Sequence, residues 1–354
     1  DDKGNPTGIL LEGATSLVSR VIPAPSLPEL MAALLKAQAK LLAMGITSVH
    51  DFDAQACFSA LQKIHAESEL KLRVVKSIPF EALPTAVSVG LRTGFGDDWL
   101  RIGNVKMFSD GALGPYTAAM LQPYENSPNN RGLLLMDAAQ IYAEGRLAVD
   151  NGLALAIHAI GDRANHEVLN ALARLRQQDT RLRHRIEHVQ VLQPQDTHRL
   201  AELGVIASMQ PIHTTSDMYM ADAYWGKRAA YSYALKTQLE HGATLAFGSD
   251  APVESPNPFW GIHAAVTRRR ADGSPGPAGW YPNQRLPVHQ AIAGFTTGAA
   301  IAASMEDRQG KLVSGYFADL LVLDTNPFEC NPDEIRNILP AATMVAGEWM
   351  TSEL

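Results

Sequence analysis

Four side chains of types that bind metal ions stand on short apolar runs of the chain. His158, His188 and Asp250 each end one such run, and Lys106 lies inside a fourth. Two imidazoles, a carboxylate and a lysine are the groups that a hydrolytic metal centre requires. Because the runs read as successive β-strands, and a parallel barrel brings its strand ends to one face, the four side chains are expected to converge there. The pattern therefore predicts a metal-dependent hydrolase.

Each of these residues also has an ordinary structural interpretation. A lone strand histidine is commonly a hydrogen-bonded core residue, and an aspartate in a Gly-Ser-Asp segment often forms a turn or caps a helix. Lys106 could reach the strand end or pair with Asp110. The repeated placement at strand ends favours catalysis, with Asp250 taking a proton from water and passing it to the leaving amine. His184 lies ~13 Å before His188 along an extended strand, so we assign it to the strand base.

The elements that would position these residues alternate between helix and strand. Nearly continuous apolar runs indicate strands buried on both faces, as in a parallel sheet. The seven predicted strands span residues 46–52, 72–78, 104–109, 153–160, 184–189, 205–211 and 243–250. A doubly wound sheet would also fit, but seven or eight successive βα units favour a barrel.

Helical periodicity and capping signals predict the intervening helices. They span residues 26–45, 54–68, 81–91, 137–151, 162–177, 194–203, 232–241, 257–269 and 287–303. The Pro- and Gly-rich segment 271–284 suits an active-site flap or a linker equally well. Segments 318–324 and 343–350 each predict one β-strand of a separate small sheet.

Charge and composition exclude several classes of protein. The 354 residues are 46% hydrophobic and carry a net charge of −7, without a basic stripe for nucleic acid. The run 268–270, three arginines, predicts a solvated helix end. Cys57 and Cys330 lack C-x-x-C spacing, which argues against a disulfide framework or a thiolate zinc site. No apolar stretch approaches the ~20 residues of a membrane span, and the motifs of serine hydrolases, P-loop proteins and Rossmann enzymes are missing.

The segments as a set resemble the amidohydrolase superfamily, and within it the type-3 branch, which includes N-substituted formamide deformylases. The resemblance covers almost all of residues 8–350. Its motifs are TGILLEGA (7–14), GITSVHDF (45–52), VKMFSDGALG (105–114), IHAIGDRAN (157–165), RIEHVQ (185–190), SMQPIH (208–213), FGSDAPVESPNPFWGI (247–262) and ADLLVLDTNPF (318–328).

This resemblance implies a (β/α)8 TIM-type barrel with a small β-sandwich, and one or two divalent metal ions, with zinc favoured. It implies a carboxylated Lys106 that bridges the metals, with His158 and His188 as ligands. Asp250 would be both a ligand and the catalytic acid and base. The substrate pocket would be lined by Asp110, Gly111 and His213.

One motif of the family is missing from this sequence. The first barrel strand of the family carries a His-x-His pair, and no His-x-His occurs here. The sequence therefore resembles a member that lacks its front portion, with a barrel over 1–314, its first strand missing, and the remainder of the β-sandwich over 315–354.

Two functions stay open. The first is hydrolysis of a C–N bond in a small amide or formamide through metal-activated water, in the cytoplasm. The second is a catalytically silent barrel that binds a small molecule or a partner. An open barrel would expose a hydrophobic seam, which would favour a homo-oligomer.

Overall fold

A parallel sheet of seven strands forms the centre of the fold. The computed structural model describes residues 7–10, 12–178 and 181–352, so the outermost residues of the two predicted domains lie outside the described residues. The strands pair strictly in chain order and all in parallel. They are Ser48–Asp51 (β1), Arg73–Pro79 (β2), Leu100–Phe108 (β3), Leu155–Ala159 (β4), Arg185–His188 (β5), Ile206–Met209 (β6) and Leu245–Phe247 (β7). All seven predicted strands are present.

Helices precede, connect and follow the strands, and several of them pack against the sheet. They are Ser16–Ser19 (α1), Leu27–Ala43 (α2), Gln55–Ala66 (α3), Leu83–Ser88 (α4), Ala138–Asp150 (α5), Asp162–Leu175 (α6), Arg199–Leu203 (α7), His213–Trp225 (α8), Leu235–Glu240 (α9), Pro258–Thr267 (α10), Val288–Ala293 (α11) and Ala299–Ala302 (α12). The predicted cap of α2 is present, since the Glu29 carboxylate accepts a hydrogen bond from the Ser26 amide at 2.8 Å.

The predicted helix 287–303 is interrupted where it approaches the sheet most closely. A π-helical turn, Gly294–Gly298, separates α11 from α12. A Cβ atom on Gly298 would lie 1.9 Å from the Leu245 carbonyl oxygen of β7. The helix can therefore reach the last strand only because glycine stands at this position.

Two elements differ from the sequence-based prediction. Helix α8 follows β6 and was not predicted. Segment 343–350 is not one strand: it belongs to a hairpin of β9 (Pro340–Val345) and β10 (Glu348–Ser352), which forms a three-stranded antiparallel sheet with β8 (Leu320–Leu323). The turn between β9 and β10 consists of Ala346 and Gly347, both with positive φ. This pair lacks the Asn or Asp that usually marks such a turn in a sequence.

The core lies between the sheet and its helices. Ile157 of β4 and Ile186 of β5 are completely buried, as are Leu169 and Leu172 of α6, which cover them. Each such side chain stabilises the fold by roughly 1.5–3 kcal/mol relative to exposure in water. This packing of α6 holds β4 and β5 in place, and with them the positions of their ends.

The small antiparallel sheet is attached to the first part of the large one. The Arg73 Nε atom of β2 lies 2.7 Å from a carboxylate oxygen of Asp319, and both side chains are nearly buried. The Thr343 hydroxyl donates to the carbonyl of Leu42 at the end of α2. The division of the chain after residue 314 stays a prediction.

A cavity separates the two edge strands of the large sheet. Its volume is about 1100 Å³, and residues 45–53 and 246–251 line its opposite sides. Neither β1 nor β7 has a described strand on its outer edge. The cavity extends from this gap to the carboxyl ends of the strands.

In the described part of the chain, no helix combines the length and apolar character needed to cross a membrane.

Candidate metal centre

Three histidines and one aspartate meet at the carboxyl ends of the strands. His158 lies on β4, His188 ends β5, His213 begins α8, and Asp250 follows β7. The ring centres of His158 and His188 are 4.7 Å apart, and those of His188 and His213 are 5.9 Å apart. The Nε2 atom of His213 lies 3.4 Å from Oδ2 of Asp250. All four side chains border the large cavity.

Three of these residues are close enough to share one ion. Ligand atoms of His188, His213 and Asp250 all lie within 4.8 Å of one another. The family resemblance implies only a place in the substrate pocket for His213. Its position after β6, in the segment Met-Gln-Pro-Ile-His, is the signal that could have identified it as a ligand.

A second group of possible ligands within the described residues is already compensated. Asp51, Asp53 and Cys57 also offer ligand atoms within 4.8 Å. However, the Lys76 ammonium donates to both the Asp51 carboxylate and the Asp53 carbonyl. Burial raises the pKa of the Cys57 thiol to about 12, which keeps it protonated. This group is not a candidate centre.

Lys106 lies beside the histidines inside the curled sheet. Its Nζ atom is 4.8 Å from the ring centre of Phe52 and 4.7 Å from that of Phe108. The alternative pairing with Asp110 is not observed. Burial lowers the pKa of Lys106, although the nearby Glu187 carboxylate acts in the opposite direction. Burial is the larger of the two effects on this pKa, because the amine is largely removed from water.

Hydrogen bonds select a different free nitrogen on each of two histidines. The Nε2 atom of His158 lies 2.9 Å from the Gly111 carbonyl oxygen, so Nε2 carries the proton and Nδ1 keeps its lone pair. The Nδ1 atom of His188 lies 2.8 Å from Oε1 of Gln210, so here Nε2 keeps the lone pair. No pattern in the sequence singles out Gln210 for this role.

The surroundings keep both imidazoles neutral. Burial, and then the Lys106 ammonium, lower the pKa of His158 to about 4. Burial also holds the pKa of His188 well below its ordinary value, and His158 and Lys106 add to the effect. A neutral imidazole is the form that binds a metal ion.

We expect the metal-free chain to lose stability as the pH falls from about 6.5 to about 4. In the unfolded chain His158 takes up a proton near its ordinary pKa of 6.5, whereas the folded chain keeps it neutral down to about 4. Acid therefore favours the unfolded state throughout this window. Urea unfolding at several pH values measures the slope. The variant His158→Asn should flatten it and the exposed control His198→Asn should not; equal slopes in all three proteins would contradict the prediction.

Asp110 and Gly111 form the wall next to His158. Both border a smaller cavity of about 480 Å³ that His158 and Phe108 also line. The Asp110 carboxylate is buried, and burial raises its pKa to about 7 although three backbone amides donate to it. A Cβ atom on Gly111 would lie 2.1 Å from the Thr117 hydroxyl oxygen. A substrate contact for either residue stays a prediction.

Two of the candidate ligands have an unusual backbone conformation. The φ angle is +75° at His188 and +58° at Asp250, in the left-handed region that residues other than glycine seldom adopt. Such conformations cost roughly 1–3 kcal/mol each and occur preferentially at functional sites. His188 is the last residue of β5, and Asp250 lies three residues beyond the end of β7.

Two other assignments from the sequence have clear outcomes. His184 accepts a hydrogen bond from the Leu155 amide at 3.1 Å, a structural contact at the amino end of β4. The prediction of a solvated helix end at 268–270 is wrong, because Arg268 is 0% exposed. Its guanidinium donates to the carbonyl oxygens of Trp280 and Tyr233, since segment 271–284 folds back over it.

Comparison with known proteins finds a matching family and several relatives. A model described as the amidohydrolase family (Amidohydro_3) matches residues 1–350. The putative amidohydrolase YtcJ of Bacillus subtilis is 30% identical over 355 residues, which cover 98% of this chain and 66% of that protein. The N-substituted formamide deformylase of Arthrobacter pascens is 26% identical over 253 residues, which cover 70% of this chain and 45% of that enzyme.

A solved structure has a closely similar fold. The crystal structure of an uncharacterized metal-dependent hydrolase from Pyrococcus horikoshii OT3 aligns with a TM-score of 0.80 and 28% identity, covering 90% of this chain and 64% of that one. The curled parallel sheet and the additional antiparallel sheet match this neighbour, which confirms the predicted α/β barrel class. The chain spans 66% of the length of YtcJ and 64% of the length of the Pyrococcus hydrolase.

Proposed function

The chain belongs to the amidohydrolase family, and from this we propose that it is a metal-dependent hydrolase that cleaves the C–N bond of a small amide or formamide. The observation that carries the proposal is the convergence of His188, His213 and Asp250 within 4.8 Å. Support for the bond type comes from the relative named as an N-substituted formamide deformylase. The large cavity beside these residues is big enough for a small substrate.

The side chains present fit a divalent cation. They offer neutral imidazole nitrogens and a carboxylate, which zinc prefers, and Gln210 orients His188 as outer partners of zinc ligands do. We assign the metal ligands to His158 through Nδ1, His188 through Nε2, and Asp250, with His213 beside them. When bound, the cation would polarise a carbonyl group and lower the pKa of a water molecule.

Lys106 is proposed as a further ligand after carboxylation. Its buried amine would add to the carbon of CO2 in its neutral form, forming a new N–C bond and releasing one proton. The product is an anionic carbamate. This change would convert the buried amine into an anionic oxygen ligand, whose charge a bound cation would compensate.

Asp250 is proposed as the catalytic acid and base. Its side chain is 40% exposed and lies at the mouth of the cavity, where it can reach both water and substrate. Its carboxylate would accept a proton from water and deliver it to the nitrogen of the leaving amine. His213, at 3.4 Å from the Asp250 carboxylate, would contact the substrate together with Gly111, and Asp110 lies behind Gly111.

We expect purified chain to retain one firmly bound zinc ion after dialysis and to release amine from one or more members of a panel of small N-formyl and N-acyl amines. Elemental analysis measures the metal, and a fluorogenic amine reagent measures turnover. The variant His198→Ala, which removes an exposed histidine outside the set of proposed ligands, is the control and should behave like the parent. The alternative is a silent barrel that binds a small molecule or a partner without turnover. Chain without zinc or turnover would support that alternative.

A further inference from the structure

We propose that Asp110 is a positioning residue for His158: its carboxylate holds the Gly111 carbonyl against Nε2 of the imidazole, so that Nδ1 remains the free nitrogen. The importance of the free nitrogen rests on the proposed function, because a metal ligand must present a lone pair. The choice of nitrogen itself is a property of the metal-free chain.

Asp110 joins the ends of two neighbouring strands. It follows β3, and its Oδ2 atom accepts hydrogen bonds from the Ala119 and Gly161 amides, both at 2.9 Å. Its Oδ1 atom accepts from the Ile160 amide at 3.0 Å. Ile160 and Gly161 directly follow β4, which carries His158. One buried carboxylate thus fixes the loop after β3 to the segment that follows β4.

The loop after β3 has little freedom to move Gly111 away. The Gly111 amide donates to the Thr117 carbonyl at 3.3 Å, and the Thr117 hydroxyl accepts from the Ala112 amide at 2.9 Å. On the other side, a Cβ atom on Gly161 would lie 1.9 Å from the Ala119 carbonyl oxygen. The two backbone segments that Asp110 joins are therefore in direct contact. Their contact sets the direction of the Gly111 carbonyl.

This carbonyl decides which nitrogen of His158 carries the proton. A carbonyl oxygen can only accept, so the 2.9 Å contact requires a proton on Nε2. The Asp110 carboxylate lies 3.5 Å from the same nitrogen and favours a proton there electrostatically. Without these two groups the neutral ring could exchange freely between its two tautomers.

Asp162 provides a matched control, because it is a buried carboxylate that fixes the same loop without touching His158. Its Oδ1 atom accepts from the Leu121 amide at 2.8 Å, and burial raises its pKa as it does for Asp110. If Asp110 only anchored the loop, the variants Asp110→Asn and Asp162→Asn should behave alike.

The test uses the full chain with ¹⁵N-labelled histidine and without metal. Long-range ¹H–¹⁵N NMR spectra report the tautomer of His158, and titration with zinc reports the dissociation constant. We expect a single Nε2–H tautomer in the parent and in Asp162→Asn. In Asp110→Asn we expect a mixture of tautomers and zinc binding weakened by about 10–100-fold, the usual loss when an outer partner of a ligand is removed.

The proposal is overturned if Asp110→Asn keeps the single tautomer, or if both variants change it equally. Should Asp110→Asn fail to fold, Thr117→Val removes the hydroxyl that fixes Ala112, and Thr117→Ser restores it. Mixed tautomers in Thr117→Val, with recovery in Thr117→Ser, would support the proposal; a parent-like spectrum in Thr117→Val would refute it. A parent with the single tautomer but no zinc binding would refute the proposed metal site and still support the role of Asp110.

Discussion

We expect the His188→Ala variant to lose bound zinc and turnover together. Its ring lies between those of His158 and His213, so its removal takes a ligand from the middle of the cluster. Loss of an outer partner alone weakens binding by 10–100-fold, so loss of the ligand should exceed about 100-fold. Zinc titration and amine release from the best substrate measure the two effects.

His184→Ala is the control for this experiment, because it removes a buried histidine just before the opposite end of the same strand. His184 bonds to the Leu155 amide and lies away from the cavity. This variant should lose stability but bind zinc normally when folded. A His188→Ala protein with zinc affinity and turnover near the parent values would show that His188 is not a ligand.

We expect Asp250→Asn to retain zinc and to lower kcat by ~10²–10⁴-fold, the usual contribution of a general acid and base. The amide keeps the shape of the side chain but cannot accept the proton from water. The other proposed ligands, His158, His188 and Lys106, remain to hold the metal. Steady-state kinetics with the best substrate measure the effect.

Glu254→Gln is the matched control for Asp250→Asn. Glu254 also borders the cavity, and its carboxylate oxygen lies 4.0 Å from Nδ1 of His213, but it receives a hydrogen bond from the Ser216 hydroxyl and has no proposed catalytic role. This variant should keep kcat near the parent value. An unchanged kcat in Asp250→Asn would remove Asp250 from the mechanism.

The strands could be predicted from the sequence because parallel strands buried on both faces leave continuous apolar runs. The run at β4, which ends in His158, is a clear example. Once the strands are known, barrel geometry places residues at their carboxyl ends together whatever the loops do. Helix α8 was missed because apolar residues on its less buried side, such as Tyr219 and Met220, mask the one-sided spacing of Met218, Ala221 and Trp225.

Other features of the site depend on tertiary contacts that no local pattern encodes. Gln210 is 22 residues from His188 in the chain, yet its side chain selects the nitrogen that His188 presents. For His158 the partner is a backbone carbonyl, that of Gly111, and a backbone group leaves no signal in residue type. The sequence could therefore place these histidines at strand ends, but not predict how each ring is oriented.

The order of pairing in the large sheet also bears on how the chain reaches its native state. Every strand from β1 to β7 bonds only to its neighbours in sequence, so each new pairing closes a loop of one βα unit. The entropy lost in closing a loop rises only slowly with its length, and a nascent chain can add strands as the ribosome releases them. Asp250 then joins the histidines last, when β7 docks, so catalytic competence would appear only at the end of sheet assembly.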